Sequence, residues 1–340
     1  MMRAIGVLLA ALGVGAVFNM LNVPAGWLLG ALLTGILYGL LRSDVSYEGW
    51  PFKIALTLVG TNIGLLMERE LFSVLGVYIL PLFITIIVTL AGGLLFGWLL
   101  YKWSSILDKR TALFCCIPGG ASEIISVSGD YGADNRIVAA FHTARITFFV
   151  LLIPLIAGLW AEAAEAGPEQ VAEGALTLEH IIVFLIVMSI AFYLNFRIKI
   201  PAGSLLYAIA FGFLFGDFIF HIDDVPTYIG GIGQALIGVM VGVRFDRPTF
   251  LRLKQIGGVS AQVLGLFFIL SFFLAFIFWL FTEVSYVVSL LSTVPAGAAE
   301  MAATAFALGL EPTLVASLQI IRVISVFLAL PIILKLVEKM

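Results

Sequence analysis

The chain has 340 residues, 62% of them hydrophobic and 11% charged, with a formal net charge of −3 and a mean hydropathy of +1.14. A soluble domain needs roughly a quarter of its residues charged to cover its surface, so water is excluded as the main solvent and lipid is implied. No basic stripe is available to neutralise phosphates, which excludes a direct nucleic-acid partner, and the adjacent, apolar-flanked Cys115 and Cys116 give no basis for a structural disulfide.

In chain order, the first half predicts six apolar segments, near 4–20, 25–41, 53–67, 73–101, 111–129 and 136–160. The opening run has the look of a signal peptide, but the same segment recurs inside the chain, which makes it a span. The second and third segments carry Gly35/Gly39 and Gly60/Gly64, a four-residue spacing suited to close helix packing. The fifth is interrupted by Ile117-Pro118-Gly119-Gly120-Ala121-Ser122-Glu123, a composition that favours a broken or turning backbone. Such backbone is tolerated at membrane depth only where protein or a water-filled cavity surrounds it. An acidic loop without Lys or Arg, Glu162 to Glu179, follows the sixth. Six more segments then run near 180–196, 202–218, 230–243, 255–281, 286–307 and 313–337.

The two sets are copies. Pro24-Ala25-Gly26-Trp27-Leu28-Leu29 recurs as Pro201-Ala202-Gly203-Ser204-Leu205-Leu206, an offset of 177 from Pro24 to Pro201. At the same offset Gly35 and Gly39 match Gly212 and Gly216, and the interrupted segment recurs as Val294-Pro295-Ala296-Gly297-Ala298-Ala299-Glu300. Arg145 matches Arg322, and Pro154 matches Pro331, while Gly60 and Gly64 match Gly238 and Gly242 after a one-residue slip. The organisation is therefore a first membrane repeat over 1–160, an acidic extracytoplasmic linker over 161–179 and a second repeat over 180–340.

Charge asymmetry sets the topology. If the fifth segments are re-entrant and the other ten cross, with the N-terminus inside, every Lys and Arg except Arg69, Arg145 and Arg322 lies on the cytoplasmic side. With twelve crossings the Arg244–Lys254 cluster moves outside and the acidic loop moves in. Five crossings per repeat is an odd number, so the halves are inverted and their hairpins enter from opposite faces. The expected fold is an all-α polytopic membrane protein of two inverted repeats, each about five transmembrane helices plus a re-entrant or broken helical hairpin. A broken helix that crosses stays open as the alternative. The setting is a bacterial or archaeal inner membrane, multi-pass, with both termini cytoplasmic.

Arg145 and Arg322 lie about nine residues into their helices, roughly 13 Å deep at 1.5 Å per residue, near the middle of a ~30 Å hydrocarbon core. An Arg there costs about 2.5–3.5 kcal/mol on the mild insertion scale. Glu123 and Glu300, at equivalent repeat positions, are the partners the sequence supplies. Either these pairs fasten the hairpins, or hairpin tips and arginines form a central site for an anionic or polar substrate. On the second reading Arg145, Arg322, Gly119, Gly120, Ser122, Gly297, Asn62 and Gln319 bind substrate, and Glu123, Glu300 and His142 carry a coupling proton. His142 precedes Arg145 by three residues and shares its helical face; its repeat equivalent is Gln319. Asn62 has Met240 as its counterpart, which confines any polar role to one half. The hydroxyls of Ser122, Ser126, Ser128, Ser292, Thr293 and Thr304 could ligate substrate or Na⁺, but satisfying broken-helix backbone is the simpler use. Asp217, His221, Asp223 and Asp224 read as a solvated loop, not a metal site, and the Arg244–Lys254 stretch as flank chemistry at the headgroups.

The doubled Pro-Ala-Gly-x-Leu-Leu, the two Pro-[Gly/Ala]-Gly-Ala-x-Glu tips and the downstream Arg145 and Arg322 resemble the AbrB-type duplicated membrane protein family over nearly the whole chain. The resemblance carries two labels, "ammonia monooxygenase" and "AbrB family transcriptional regulator", and neither fits the residues. An oxygenase needs clustered ligands, and His142, His180 and His221 are widely separated. A DNA binder needs a basic soluble module. Inverted repeats with Gly/Pro-broken segments at corresponding places point to secondary transport. The expectation is proton- or sodium-coupled transport of a small organic anion or amphoteric metabolite. It includes no enzymatic activity, and no cofactor beyond a coupling H⁺ or Na⁺. The expected partners are a small-molecule substrate and the lipid bilayer, with a homo-oligomer left open. The alternative is a membrane-embedded sensor or regulator acting indirectly on gene expression.

Overall fold

Apolar segments placed in lipid must satisfy their own backbone, and the helix does so within one segment. A computed structural model describes residues 2–163, 176–198, 200–220, 222 and 225–339, with the side chains at 73–74, 122–123, 162–163 and 336–339 excepted. The described residues form helices and connecting turns, with no strand among them. In order these are α1 (Met2–Met20), α2 (Gly26–Leu41), α3 (Trp50–Leu65), α4 (Glu70–Trp103), α5 (Lys109–Cys116), α6 (Ala121–Ser128), α7 (Asn135–Ala163) and α8 (Leu178–Arg197). There follow α9 (Gly203–Phe215) with a π-helical turn at Gly216–Phe220, α10 (Thr227–Arg244), α11 (Arg247–Ile256), α12 (Gly258–Leu280), α13 (Tyr286–Thr293), α14 (Ala298–Ala307) and α15 (Pro312–Lys339). Among the described residues eight helices are long and apolar enough to span a membrane: α1, α4, α7, α8, α9 with its π-helical turn, α10, α12 and α15. The chain is an all-α polytopic membrane protein. Most of the predicted acidic linker, residues 164–175, lies outside the described residues, as do His221, Asp223 and Asp224.

The repeated Pro-Ala-Gly is a turn that launches a helix. Ala25 and Ala202 sit in the left-handed region at φ 50° and 54°, each as the N-cap of its helix. The glycine of the first copy is needed for space, because a Cβ on Gly26 would lie 2.5 Å from Asn19 N and 2.7 Å from the Phe18 carbonyl carbon.

Two glycine seams hold the core. Along α2 and α10, a Cβ on Gly35 would fall 2.6 Å from the Val239 carbonyl, and one on Gly39 would fall 2.9 Å from that of Val243. Rising numbers on one helix meet rising numbers on the other, so α2 and α10 run parallel. Along α3 and α9 a Cβ on Gly60 would meet the Leu205 carbonyl at 2.8 Å, and one on Gly64 the Gly212 Cα at 3.0 Å. That pair is parallel too. Small residues let the backbones approach where lipid offers no hydrophobic drive for association.

Surface contacts define two ends of the bundle. Arg3 pairs with Asp44 at 2.5 Å, and the Arg247 backbone N–H donates to Ser43 Oγ at 3.4 Å. Arg252 donates to the Arg136 carbonyl at 3.4 Å. These arginines therefore share one end, the basic face. There Tyr38 and Arg3 donate to Asp44 and hold its carboxyl below the usual range. Burial pushes the phenol of Tyr47, which donates to the Ala4 carbonyl, up to about 12. At the other end Arg69 pairs with Asp217 at 2.5 Å and lies over the Phe218 ring. The Arg244–Lys254 stretch is more than headgroup flank. Asp246 caps α11 by accepting from Thr249 N at 2.9 Å, and the helix packs on α7.

Both predicted fifth segments are broken where the sequence places Pro and Gly, at 117–120 and 294–297. The two ends of α5–α6 come together: Arg110 Nη1 donates to the Tyr131 carbonyl at 3.2 Å, and Asp134 N donates to Thr111 Oγ1 at 2.9 Å. Both contacts sit beside the first turn of α7. The ends of α13–α14 come together at the far end of the same helix. Tyr286 meets the Trp160 ring at 5.5 Å, and Leu308 lies 3.5 Å from where a Cβ on Gly158 would be.

Candidate functional site

Arg145 sits in α7 between those two meeting points, 2% exposed. Its Nη2 lies 3.1 Å from His142 Nδ1, and His142 Nε2 lies 3.0 Å from the Phe114 carbonyl oxygen. A carbonyl only accepts, so Nε2 carries the hydrogen and Nδ1 accepts from the guanidinium. Both ring nitrogens of His142 are thereby occupied with the ring neutral, the geometry of an orienting residue. The guanidinium carbon lies 5.5 Å from the Phe267 ring centre on α12. Its Nε and Nη1 are buried without a hydrogen-bond partner among the described residues.

The second half makes the same bond with different chemistry. Gln319, equivalent to His142, donates from Nε2 to the Leu291 carbonyl at 2.6 Å, and Leu291 is equivalent to Phe114. Gln319 also donates to the Val294 carbonyl at 3.2 Å, and its Oε1 is buried without a partner. A glutamine at 142 could therefore replace both functions of the imidazole, one donor and one acceptor. His142→Gln is expected to leave ligand binding and its pH dependence between pH 5 and 8 unchanged. Loss of that pH dependence would restore the proton-carrying role to His142.

Arg322 departs from its twin. Nη1 donates to the carbonyls of Thr293 (3.2 Å) and Val294, and Nη2 to that of Ala296 (3.1 Å). The sequence assigns Arg322 to substrate; the structure uses its Nη donors on the 293–296 break. The first-half equivalents of those carbonyls belong to Cys116, Ile117 and Gly119, and Arg145 bonds to none of them among the described contacts. Both arginines are buried, Arg145 at 2% and Arg322 at 7% exposed.

Glu300 is 5% exposed and occupies the third position of α14, with Gly297 as N-cap. Its carboxylate folds back over Gly297, where any Cβ would collide with it, and such an acid complements the helix N-terminus. The expected pairing of Glu300 with a buried arginine is not what the structure gives. The ion pairs Arg3–Asp44 and Arg69–Asp217 lie elsewhere, at the ends of the bundle. The physical reason is that each group is engaged with backbone: the Glu300 carboxylate is folded onto the N-terminus of α14, and the Arg322 donors are turned onto the break. In the first half Glu123 and Ser122 lie in the first turn of α6, and their side chains fall outside the described residues.

Gly119 at the first break is partly exposed, whereas its repeat equivalent Ala296 is buried; Gly120 and Gly297 are both partly exposed. Gly119, Gly120, Ile124, Pro201, Val326 and Leu330 line a small apolar cleft. Asn62 is buried in α3 with Oδ1 unpartnered. Gln234, on the adjoining α10, is likewise buried with Oε1 unpartnered. Sequence reasoning missed Gln234; its signal was a lone amide in a glycine-rich apolar helix. Of the hydroxyls, those of Ser128, Thr293 and Thr304 go to helix carbonyls at 2.8 Å, while Ser292 Oγ has no partner. His180 forms a capping box with Thr177 at the start of α8. No group of three or more metal-ligating side chains occurs among the described residues.

Residues 27–338 match the family model described as "Transition state regulatory protein AbrB". The chain is 24% identical over 325 residues to "Putative regulator AbrB" of Escherichia coli (strain K12), covering 94% of this chain and 92% of that protein. It is also 24% identical over 349 residues to "Uncharacterized protein YhjN" of Bacillus subtilis (strain 168), covering 93% and 88%. With the second Pro-Ala-Gly turn and both broken segments inside the matched span, the chain belongs to the AbrB family.

Proposed function

We propose that this protein is a secondary transporter of a small organic anion or amphoteric metabolite, coupled to H⁺ or Na⁺, and not an enzyme. The observation that carries the reading is Arg145: a buried guanidinium whose Nε and Nη1 have no hydrogen-bond partner among the described residues. Burying a cation without an acceptor is costly, and an anionic ligand would supply the acceptors that these donors lack. The proposed site lies between the 117–120 and 294–297 breaks, lined by Arg145, Gly119, Gly120, Gln319 and Asn62, with Glu123 and Glu300 as proton carriers.

The architecture proposed around it is two inverted repeats, over 1–160 and 180–340, with two re-entrant hairpins opening to opposite faces. It is supported by the meeting of each hairpin's ends at opposite ends of α7. The parallel run of α2 and α10 supports it as well. Five crossing helices lie between them, and a net crossing by α5–α6 would make the pair antiparallel. Clustering of Arg3, Arg136, Arg247 and Arg252 on one face favours an inner membrane with cytoplasmic termini.

The test is counterflow of labelled organic anions in liposomes, comparing wild type, Arg145→Gln and Glu300→Gln. Exchange should fall at least 100-fold in Arg145→Gln, and its pH dependence should shift in Glu300→Gln. The relative named a putative regulator favours a second reading, a membrane-embedded sensor. A sensor would give saturable binding without exchange, and that outcome would replace the transport reading.

A further inference from the structure

The repeat-equivalent arginines are in different bonding states. Arg322 is fastened to three carbonyls of its break, at Thr293, Val294 and Ala296. Arg145 stands at the equivalent place in α7 and leaves Nε and Nη1 unused. The surroundings differ in the same sense. Around the fastened break Ala296 and Ala298 are buried, and Pro24 and Leu308 close on Gly158. Around the unfastened one their equivalents Gly119 and Ala121 are partly exposed, and Gly119 and Gly120 line a small apolar cleft with Pro201, the repeat equivalent of Pro24.

We infer that the arginines are exchanging latches: Arg322 is a positioning residue that locks the second hairpin shut here, and in the opposite state Arg145 takes the Cys116, Ile117 and Gly119 carbonyls while Arg322 lets go. The proposal rests on the transport reading for its purpose, since alternating closure of two hairpins is what alternating access requires. Its geometry stands without that reading. The duplicated sequence offers each arginine the same three carbonyls, and closing one break leaves the other arginine free for a ligand anion. A ligand on Arg145 would compete with its latch and hold the present state.

The test is side-specific labelling in proteoliposomes with an impermeant maleimide, in a Cys115→Ala/Cys116→Ala background. Reporter cysteines are placed one at a time by Ala121→Cys and Ala296→Cys. With Arg322 intact, Ala121→Cys should react and Ala296→Cys should be protected. Adding Arg322→Gln should raise the rate at Ala296→Cys at least 10-fold, from the face opposite the basic one, and lower the rate at Ala121→Cys several-fold. A rise at 296 without the fall at 121 would mean simple loosening and would overturn the exchange. No change at either would overturn the latch. If Arg322→Gln does not reconstitute, Arg322→Lys, a point donor that cannot span three carbonyls, should give the same reciprocal change in smaller measure. Labelling does not depend on transport, so failed counterflow with reciprocal labelling would reject the transporter and keep the switch.

Discussion

Arg322→Met is expected to lower the melting temperature of the purified protein by several degrees, whereas Arg145→Met leaves it unchanged or raises it. Both remove a buried positive charge from equivalent positions, so a symmetric reading of the repeat expects equal effects. The bonding differs. Arg322 makes three hydrogen bonds to carbonyls of its break, of which Val294 also accepts from Gln319 Nε2 and Ala296 N. Charge-assisted bonds contribute about 1.5–3 kcal/mol each, and stranded carbonyls add their own desolvation cost. Methionine also relieves the desolvation of the buried ion here, so about 2–4 kcal/mol is the expected net loss. Arg145 makes one bond, to His142, and one ring contact, to Phe267, together worth about 2–3 kcal/mol. Against that stands a desolvation penalty of several kcal/mol for a buried ion, which methionine removes. Thermal shift in one detergent, with and without an organic anion, reads both effects. Wild type should gain about 2.7 kcal/mol at a ligand concentration 100 times Kd, and Arg145→Met should gain nothing. Equal destabilisation by the two substitutions would sink the asymmetry on which both the site and the latch depend.

The fold was largely legible because its determinants are local or repeated. Apolar length marked the long helices, and Pro118 and Pro295 with Gly120 and Gly297 marked the breaks. What stayed hidden depends on where a backbone stops within an ångström or two. Arg145 and Arg322 are the same residue in equivalent contexts, so nothing in the sequence says which one reaches its carbonyls. The expected pairing of Glu300 with an arginine followed from counting charges in an apolar segment. It ignored the helix N-terminus that Gly297 leaves open to the carboxylate. The helix α11 was masked by its own charges, since Arg247, Arg252 and Lys254 drew attention from Asp246 and Pro248, an N-cap and an early-helix proline.

The glycine seams lead to the other large effect. Gly242→Ala should destabilise the protein by about 3 kcal/mol, at the top of the usual overpacking range, while Gly265→Ala is neutral or stabilising by up to about 1 kcal/mol. Both lie inside helices, where alanine is favoured over glycine by about that amount. They differ in what the added methyl meets. At Gly265 nothing lies within 4 Å. At Gly242 the methyl would press into the Leu32 carbonyl, 2.9 Å from Ile36 N and 3.0 Å from Gly35 Cα. All of these are main-chain atoms, so no rotamer change can make room and α2 must move away from α10 as a unit. That displacement also loosens Gly35 and Gly39 against Val239 and Val243, so the cost falls on the whole seam. Because the α3–α9 seam is its repeat counterpart, Gly64→Ala should cost a similar amount, and the two substitutions together should approach loss of the folded state. Thermal shift and protease resistance of the three single variants decide it. A Gly242→Ala protein that melts with the wild type would mean the seam is not closed, and the parallel pairing of α2 with α10 would fall with it.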